Sequence, residues 1–255
     1  MNNTYIPKFT YIIPFRFRSD RILPLRRVID LLAGFQGIEI IIVEQDKYSK
    51  ISNLNLKATH IFIESDLPFN KSWAFNVAIK RASSPTIICA DADFIMNPNE
   101  LIESLKELEN YDCVIPTSNI INLTQQESTA DINSILNLKR IATKPFMTNG
   151  LTIFKKDALF RIAGWNEDFI GFGYENKFQD MKISNILNYK QMDYTGYHLY
   201  HNPEAIDTTL NQRSDSIMEN YKDGDINKIN NHIATSNPKI GAINKYTQVK
   251  STYNY

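Results

Sequence analysis

The chain has 255 residues, long for one domain and short for two, and 43% of them are hydrophobic, which is enough to bury a core. Its 28 lysines and arginines balance its 28 aspartates and glutamates, which removes the main reason to expect bulk binding to nucleic acid or an acidic membrane. No signal peptide is visible, and no apolar run approaches the roughly 18 residues of a membrane span. We therefore expect one soluble, cytoplasmic globular domain; the sequence leaves its oligomeric state open.

Short apolar runs alternate with amphipathic stretches in the first half of the chain. Helical spacing of apolar residues predicts a helix after Ser19-Asp20, which can cap it. Further helices are predicted over 70–83 and 100–108. The predicted strands are 10–14, 38–44, 59–64, 86–91 and 113–116. This alternation predicts an α/β fold with a mostly parallel sheet, in which ligands bind at the carboxyl ends of the strands.

The second half of the chain has a weaker pattern. Residues 117–148 are polar and weakly periodic, which favours a functional or mobile loop. A short strand and a helix around 156–163 follow, and from about residue 206 the chain is helical and polar. Cys89 and Cys113 lie in apolar, strand-like runs, so we expect two reduced core cysteines.

The sharpest local feature is the pair Asp91 and Asp93, directly after the apolar run TIICA. Two carboxylates at i and i+2 on a strand exit can hold a hard divalent cation, and Mg²⁺ or Mn²⁺ combines few protein carboxylates with phosphate oxygens. The alternative is a solvated turn or a cap before Asn97-Pro98. Both interpretations stay open at this point.

A second candidate is His198-Leu199-Tyr200-His201, which holds two of the four histidines of the chain. Imidazole nitrogens bind Mn²⁺ or Zn²⁺; the alternative is one structural and one surface histidine. The sequence lacks the nucleotide signatures G-x-x-x-x-G-K-[ST] and G-x-G-x-x-G and the hydrolase motif G-x-S-x-G.

Taken in order, these segments resemble a GT-A glycosyltransferase of the wider family-two superfamily, most of all the galactosyltransferase and polypeptide N-acetylgalactosaminyltransferase group. The matches follow the family's order from about residue 10 to residue 202. They are IIPFRFR (12–18), IEIIIVEQ (38–45), FNKSWAFNVA (69–78), IICADADFIMNP (87–98), NGLTIFKKDALFRIAGWNEDFIGFGYEN (149–176) and HLYH (198–201).

The resemblance implies a single GT-A catalytic domain over 1–255, with a Rossmann-like, mostly parallel sheet flanked by helices. Within it, residues 8–116 are expected to bind a nucleotide sugar and residues 145–202 to bind the acceptor and a metal ion. Residues 203–255 are expected to form a helical tail.

The same resemblance implies a metal ion, Mn²⁺ or Mg²⁺, with Asp93 and His201 as ligands and His198 in the place of a ligating methionine. Arginine pairs with phosphate through two hydrogen bonds, and an aromatic ring can pack on the apolar face of a sugar, where the family has a tryptophan and this chain Phe172. The residues expected at the nucleotide sugar are Pro14, Phe15, Arg16, Arg18, Phe69, Lys71, Asp91 and Phe172.

One departure from the family concerns the catalytic base. Inverting relatives carry the pair Glu-Asp, whose Asp deprotonates the acceptor hydroxyl, whereas this chain has Glu175-Asn176. Asparagine cannot accept that proton. Either Glu175 or Asp180 serves as the base in an inverting enzyme, or the enzyme retains configuration and the leaving diphosphate takes the proton. The candidate catalytic positions are therefore Glu175, Asn176 and Asp180.

We expect a metal-dependent glycosyltransferase that moves a hexose or N-acetylhexosamine from a UDP-sugar to an acceptor hydroxyl. The donor sugar and the acceptor, which is a glycan, a protein or another hydroxyl compound, stay open. The alternative, favoured by Asn176, is a catalytically inactive GT-A domain that binds a nucleotide or glycan. A nucleotidyltransferase is disfavoured because PFRFRSD stands where such enzymes carry a glycine-rich loop.

Overall fold

The computed structural model describes residues 8–140, 143, 147–171, 173–203, 207–236 and 239–245. Within these residues the strands form one eight-stranded sheet with the order β3-β2-β1-β4-β7-β6-β8-β5. The strands are β1 (Phe9–Phe15), β2 (Ile38–Asp46), β3 (Thr59–Glu64), β4 (Thr86–Ala90), β5 (Phe94–Met96), β6 (Cys113–Asn122), β7 (Leu151–Lys155) and β8 (Tyr189–His198).

The sheet is mixed, and the predicted α/β fold is confirmed. Strand β1 pairs in parallel with β2 and β4, β2 with β3, and β6 with β8. Strand β7 lies antiparallel between β4 and β6, and β5 runs antiparallel to β8. Because β1, β2 and β4 run in one direction, their carboxyl ends meet at one edge of the sheet, where a ligand site is expected.

Helices cover both faces of the sheet. They are α1 (Ile22–Leu32), α2 (Lys71–Arg81), α3 (Pro98–Lys106), α4 (Ile132–Leu136), α5 (Lys156–Arg161), α6 (Glu175–Ile186), α7 (Thr208–Glu219) and α8 (Ile226–Ser236), with 3-10 turns at Ser19–Arg21, Glu107–Glu109 and Glu127–Thr129. The last two helices agree with the expected helical tail. None of the helices in the described ranges is long and apolar enough to cross a bilayer.

Two hydrophobic clusters lie on opposite faces of the central strands. In β1, Tyr11 and Ile13 join the cluster that includes the apolar face of α1, whereas Ile12 joins the cluster that contains α2. Side chains of a strand alternate between the two faces, so a strand covered on both sides reads as a continuous apolar run. Cys89 and Cys113 are buried and unpaired, as predicted.

Two local predictions are wrong. Residues 117–122 do not belong to a loop: they extend β6, which pairs with β8 through register shifts that mask the alternation of a regular strand. Ser19-Asp20 does not cap α1, whose first residue follows Arg21 without a side-chain cap. The Asp20 carboxylate is instead bound by Arg18 and by the backbone of Asn202.

Phe94 anchors the turn that carries the predicted acidic pair. Its ring is buried against two glycines on neighbouring strands or turns. A Cβ atom would come within 2.3 Å of the ring if built on Gly150 and within 2.0 Å if built on Gly196. Both positions therefore require glycine, and the packing holds residues 91–93 against the end of β8.

Candidate active site

Asp93, His198 and His201 lie together at the edge of the sheet where the carboxyl ends of β1, β2 and β4 meet. One ligand atom from each lies within 4.8 Å of the others. Asp93 is in the turn between β4 and β5 and is 4% exposed, and His198 ends β8 opposite Phe94. Leu199 donates its backbone N–H to the carbonyl of Asp93 at 2.7 Å, which ties the two segments together. In the part of the chain that is described, this is the cluster with metal-ligand geometry.

The donor set fits a divalent transition metal. Nε2 of His198 lies 3.5 Å from Oδ1 of Asp93, and Nε2 of His201 lies 3.3 Å from Oδ2, so both rings aim a nitrogen at the carboxylate. One carboxylate with two imidazoles suits Mn²⁺ or Zn²⁺ better than Mg²⁺, which prefers oxygen ligands. The three residues that the sequence nominated as ligands are thus together.

Asp91 faces a lysine rather than the histidines. Nζ of Lys71, the first residue of α2, lies 2.6 Å from Oδ1 of Asp91. Burial opposes the charge of the Lys71 ammonium, but the carboxylates of Asp91, Glu175 and Asp93 outweigh that effect and raise its pKa above the ordinary value. The Lys71 ammonium at the start of α2 therefore sits among three acidic side chains, two from the β4–β5 turn and one from the start of α6.

The three candidate catalytic positions on α6 have different surroundings. Glu175 is half-buried, and one oxygen accepts the Gly173 N–H at 3.2 Å. The amide of Asn176 donates to Oδ1 of Asn149. The structure brings Glu175 close enough to influence Lys71, while Asn176 turns towards the Asn149 loop.

The Asp180 carboxylate binds the loop at residues 147–148. Its Oδ1 accepts hydrogen bonds from the Thr148 N–H at 3.0 Å and the Thr148 hydroxyl at 2.7 Å, and its Oδ2 accepts one from the Met147 N–H at 3.0 Å. Burial raises the pKa of Asp180 despite these hydrogen bonds. Both oxygens are thus engaged in fixing residues 147–148.

The segment at the end of β1 has two buried residues and two arginines at the edge of the sheet. Pro14 and Phe15 are buried within β1, and Phe15 belongs to the core. Arg16 donates to the carbonyl of Leu67 at 2.8 Å, and Arg18 forms an ion pair with Asp20. The edge of the sheet thus receives the two arginines of this segment, whereas its proline and phenylalanine pack inward.

The two remaining nucleotide-side predictions fall in the loops before α2 and α6. Phe69 is half-buried, and its carbonyl accepts the Gly171 N–H at 2.8 Å, which joins these loops. Phe172 lies outside the described residues.

Sequence reasoning missed two structural residues within the acceptor-like segment, Trp165 and Glu167. Trp165 is buried and stacks on Phe75 with ring centroids 4.8 Å apart, so it belongs to the core, like Trp73. Glu167 is buried and accepts hydrogen bonds from Asn76, Gly241 and Lys245. These partners are distant in sequence, and no local pattern signals them.

The fold is that of a GT-A glycosyltransferase. The model of the family "Glycosyl transferase family 2" matches residues 10–163, more than half of the chain. The chain belongs to glycosyl transferase family 2.

Among curated proteins, the chain is similar to poly-β-1,6-N-acetyl-D-glucosamine synthase from several strains of Staphylococcus aureus. It is 29% identical to the synthase of strain COL, and equally to that of strain N315, over 155 residues. The match covers 55% of this chain and 38% of the synthase. The chain therefore spans well under half the length of the curated relatives it matches.

Solved structures of glycosyltransferases share the fold at low identity. Glucosyl-3-phosphoglycerate synthase from Mycobacterium tuberculosis, in complex with Mn²⁺, UDP and glucosyl-3-phosphoglycerate, has a TM-score of 0.55 at 12% identity, covering 84% of this chain and 79% of that one. TarS from S. aureus has a TM-score of 0.53 at 15% identity, with 75% and 60% covered. A Drosophila β1,4-galactosyltransferase 7 mutant, crystallised with manganese, UDP-Gal and xylobiose, has 0.50 at 14%, with 80% and 78% covered.

Proposed function

We propose that this chain is a metal-dependent glycosyltransferase that moves a hexose or N-acetylhexosamine from a UDP-sugar to an acceptor hydroxyl. The observation that carries the proposal is the convergence of Asp93, His198 and His201 at the carboxyl edge of the sheet. Membership of glycosyl transferase family 2 supports the reaction class. The UDP and Mn²⁺ bound in the mycobacterial synthase motivate the choice of nucleotide and metal.

In this proposal the two halves of the sheet divide the work. Residues 8–116 bind the nucleotide sugar, with Arg16 beside the diphosphate and Asp91 at the ribose, and residues 145–202 bind the acceptor. Asp93, His198 and His201 hold the ion, which when bound offsets the charge that develops on the leaving diphosphate. Lys71 keeps the Asp91 carboxylate in place through its 2.6 Å ion pair.

A direct test measures thermal unfolding with UDP, GDP, CMP or ADP, each in the presence of Mn²⁺ or of EDTA. A ligand at 100 times its Kd adds about 2.7 kcal/mol of stability. In a chain of this size that raises Tm by roughly 5–10 °C. We expect the shift with UDP and Mn²⁺ and its loss in EDTA. The absence of a shift with every nucleotide would contradict the proposed donor site.

Glu175 is our proposal for the general base of an inverting reaction. The carboxylate of Asp180 accepts hydrogen bonds from residues 147–148, and Asn176 cannot accept a proton. Glu175 is half-buried and close enough to Lys71 to help raise the pKa of that lysine. A positioned general base contributes about 10²- to 10⁴-fold to a rate. Glu175→Gln is therefore expected to lower kcat by that factor and to leave the UDP-dependent Tm shift in place.

The control for this substitution is Asp223→Asn, an exposed carboxylate in the turn between α7 and α8. It is expected to leave kcat unchanged. NMR of the anomeric proton in the product identifies inversion or retention. Undiminished turnover by Glu175→Gln together with a retained anomer would reject Glu175 as the base and favour proton transfer to the leaving diphosphate.

The second candidate function is a GT-A domain that binds a nucleotide or glycan without turnover. The surroundings of Asn176 favour it, because the residue at the position of the family's base is bound to Asn149 and carries no titratable group. The two functions differ in one measurement: an active enzyme releases UDP from a UDP-sugar when acceptor or water is available, whereas a binding domain shows the UDP-dependent Tm shift alone.

A further inference from the structure

Arg18 and Asp20 form an ion pair near the candidate metal site, joined by two hydrogen bonds. Arg18 donates from Nε to Oδ1 of Asp20 at 3.1 Å and from Nη2 to Oδ2 at 2.8 Å. Two parallel hydrogen bonds between guanidinium and carboxylate fix the orientation of both groups more firmly than a single contact does. The pair therefore presents a rigid donor and a rigid acceptor at the end of β1.

This ion pair holds both peptide groups of one distant residue. The backbone N–H of Asn202 donates to Oδ2 of Asp20 at 2.9 Å, and its carbonyl accepts from Nη2 of Arg18 at 3.0 Å. Asn202 is 182 residues away from Asp20 in the chain. It lies just after β8 in a segment without regular secondary structure. Its backbone position thus depends on side chains from the other end of the chain.

The Asn202 carbonyl also contacts the neighbouring histidine. Nδ1 of His201 lies 2.9 Å from it. A carbonyl oxygen only accepts hydrogen bonds, so Nδ1 carries a proton and Nε2 is the nitrogen left for a cation. That Nε2 is the atom that faces Oδ2 of Asp93 at 3.3 Å. The contact selects the tautomer and ring orientation that can bind a cation beside Asp93.

We propose that the Arg18–Asp20 pair is the positioning device for His201: it fixes Asn202, whose carbonyl holds His201 in its metal-binding tautomer. The inference rests on the proposed function insofar as a metal ion binds at Asp93, His198 and His201. Arg18 acts here through Asn202, which differs from the direct contact with the diphosphate that the family resemblance implies.

The first experiment measures Mn²⁺ affinity from the EPR signal of free Mn²⁺ in titrations of the whole chain. Residues that orient a metal-ligating histidine typically contribute about 10- to 100-fold to metal affinity. Asp20→Ala is expected to weaken Mn²⁺ binding by that factor, and Asp20→Asn by less, because its amide oxygen still accepts the Asn202 N–H. Asp30→Ala, on the exposed face of α1, is the matched control and is expected to bind Mn²⁺ like the parent.

The second experiment needs no metal. Long-range ¹H–¹⁵N spectra of the metal-free chain report the tautomer of each of its four histidines. We expect His201 protonated on Nδ1 in the parent and a mixed or Nε2-protonated ring in Asp20→Ala. An unchanged tautomer together with unchanged Mn²⁺ affinity in Asp20→Ala would overturn the positioning role.

The two experiments also separate this inference from the proposed function. Failure of the parent chain to bind Mn²⁺ would count against the metal-dependent reaction, and the tautomer spectra would still decide the role of Asp20. Mn²⁺ binding by the parent with no effect of Asp20→Ala in either measurement would reject the positioning role alone. A thermal unfolding curve of Asp20→Ala verifies that the variant is folded.

Discussion

Asp93→Asn is expected to abolish the Mn²⁺-dependent part of UDP binding and to lower the rate of sugar transfer by about 10³-fold or more. Asp93 lies between the two histidines, since one of its oxygens faces His198 and the other faces His201. A metal ion at a departing charge contributes several kcal/mol to transition-state stabilisation. A loss of about 4 kcal/mol corresponds to that factor of 10³.

The substitution is designed to leave the fold intact. Asn has nearly the shape of Asp, so it can fill the same space at this position, where Asp93 is 4% exposed. We expect the Tm of the metal-free variant to stay close to that of the parent, while the shift produced by UDP and Mn²⁺ disappears. Asp223→Asn keeps the full shift. A normal Mn²⁺-dependent shift in Asp93→Asn would show that the metal binds elsewhere.

Glu167→Ala is expected to have the largest effect on stability, lowering the free energy of unfolding by about 3 kcal/mol. The Glu167 carboxylate accepts hydrogen bonds from Asn76 Nδ2 at 2.8 Å and the Gly241 N–H at 2.6 Å, and Nζ of Lys245 lies 2.7 Å away. Its removal leaves buried donors without their acceptor. The Lys245 side chain is 32% exposed, so water replaces part of its interaction and keeps the expected loss at the lower end of the range for broken buried pairs.

In a chain of this size such a loss lowers Tm by about 6–12 °C. The neighbouring Asp168 is exposed, and Asp168→Ala is the matched control, expected to change stability by less than about 0.5 kcal/mol. Hydrogen exchange at Gly241 gives a local readout, because the loss of its acceptor should speed exchange there before global unfolding. Equal Tm values for the two variants would contradict the anchoring of residues 239–245 by Glu167.

The order and type of the main elements were predictable because their signals are local. Each signal lies within one short window of the sequence: continuous apolar runs in β2 and β4, and helical spacing of apolar residues in α1. Such a window by itself indicates whether an element is buried on one face or on two. The carboxyl-terminal part of β6 and all of β8 were missed for the opposite reason. These two strands pair through register shifts, and β8 is largely half-exposed, so neither shows a regular alternation.

In the candidate site, too, part could be predicted from the sequence and part could not. The spacing of Asp91 and Asp93 after an apolar strand and of His198 and His201 made these residues candidates, and the family resemblance singled out Asp93, His198 and His201 as possible metal ligands. The sequence could not separate the roles of Glu175 and Asp180, since both are carboxylates on the same helix, α6. Their difference comes from the Met147–Thr148 backbone, which occupies Asp180.

The sequence alone determined the α/β class, the resemblance to GT-A enzymes and the nominated acidic and histidine pairs, because each depends on residue type and near-neighbour spacing. Tertiary structure decided which side chains meet. It engaged Arg18 and Asp20 with Asn202, buried Glu167 beneath residues 239–245 and placed Lys71 among the carboxylates. These contacts join residues far apart in the chain, so they exist only once the sheet has brought its strand ends to one edge and the hydrophobic core has fixed the loops around it.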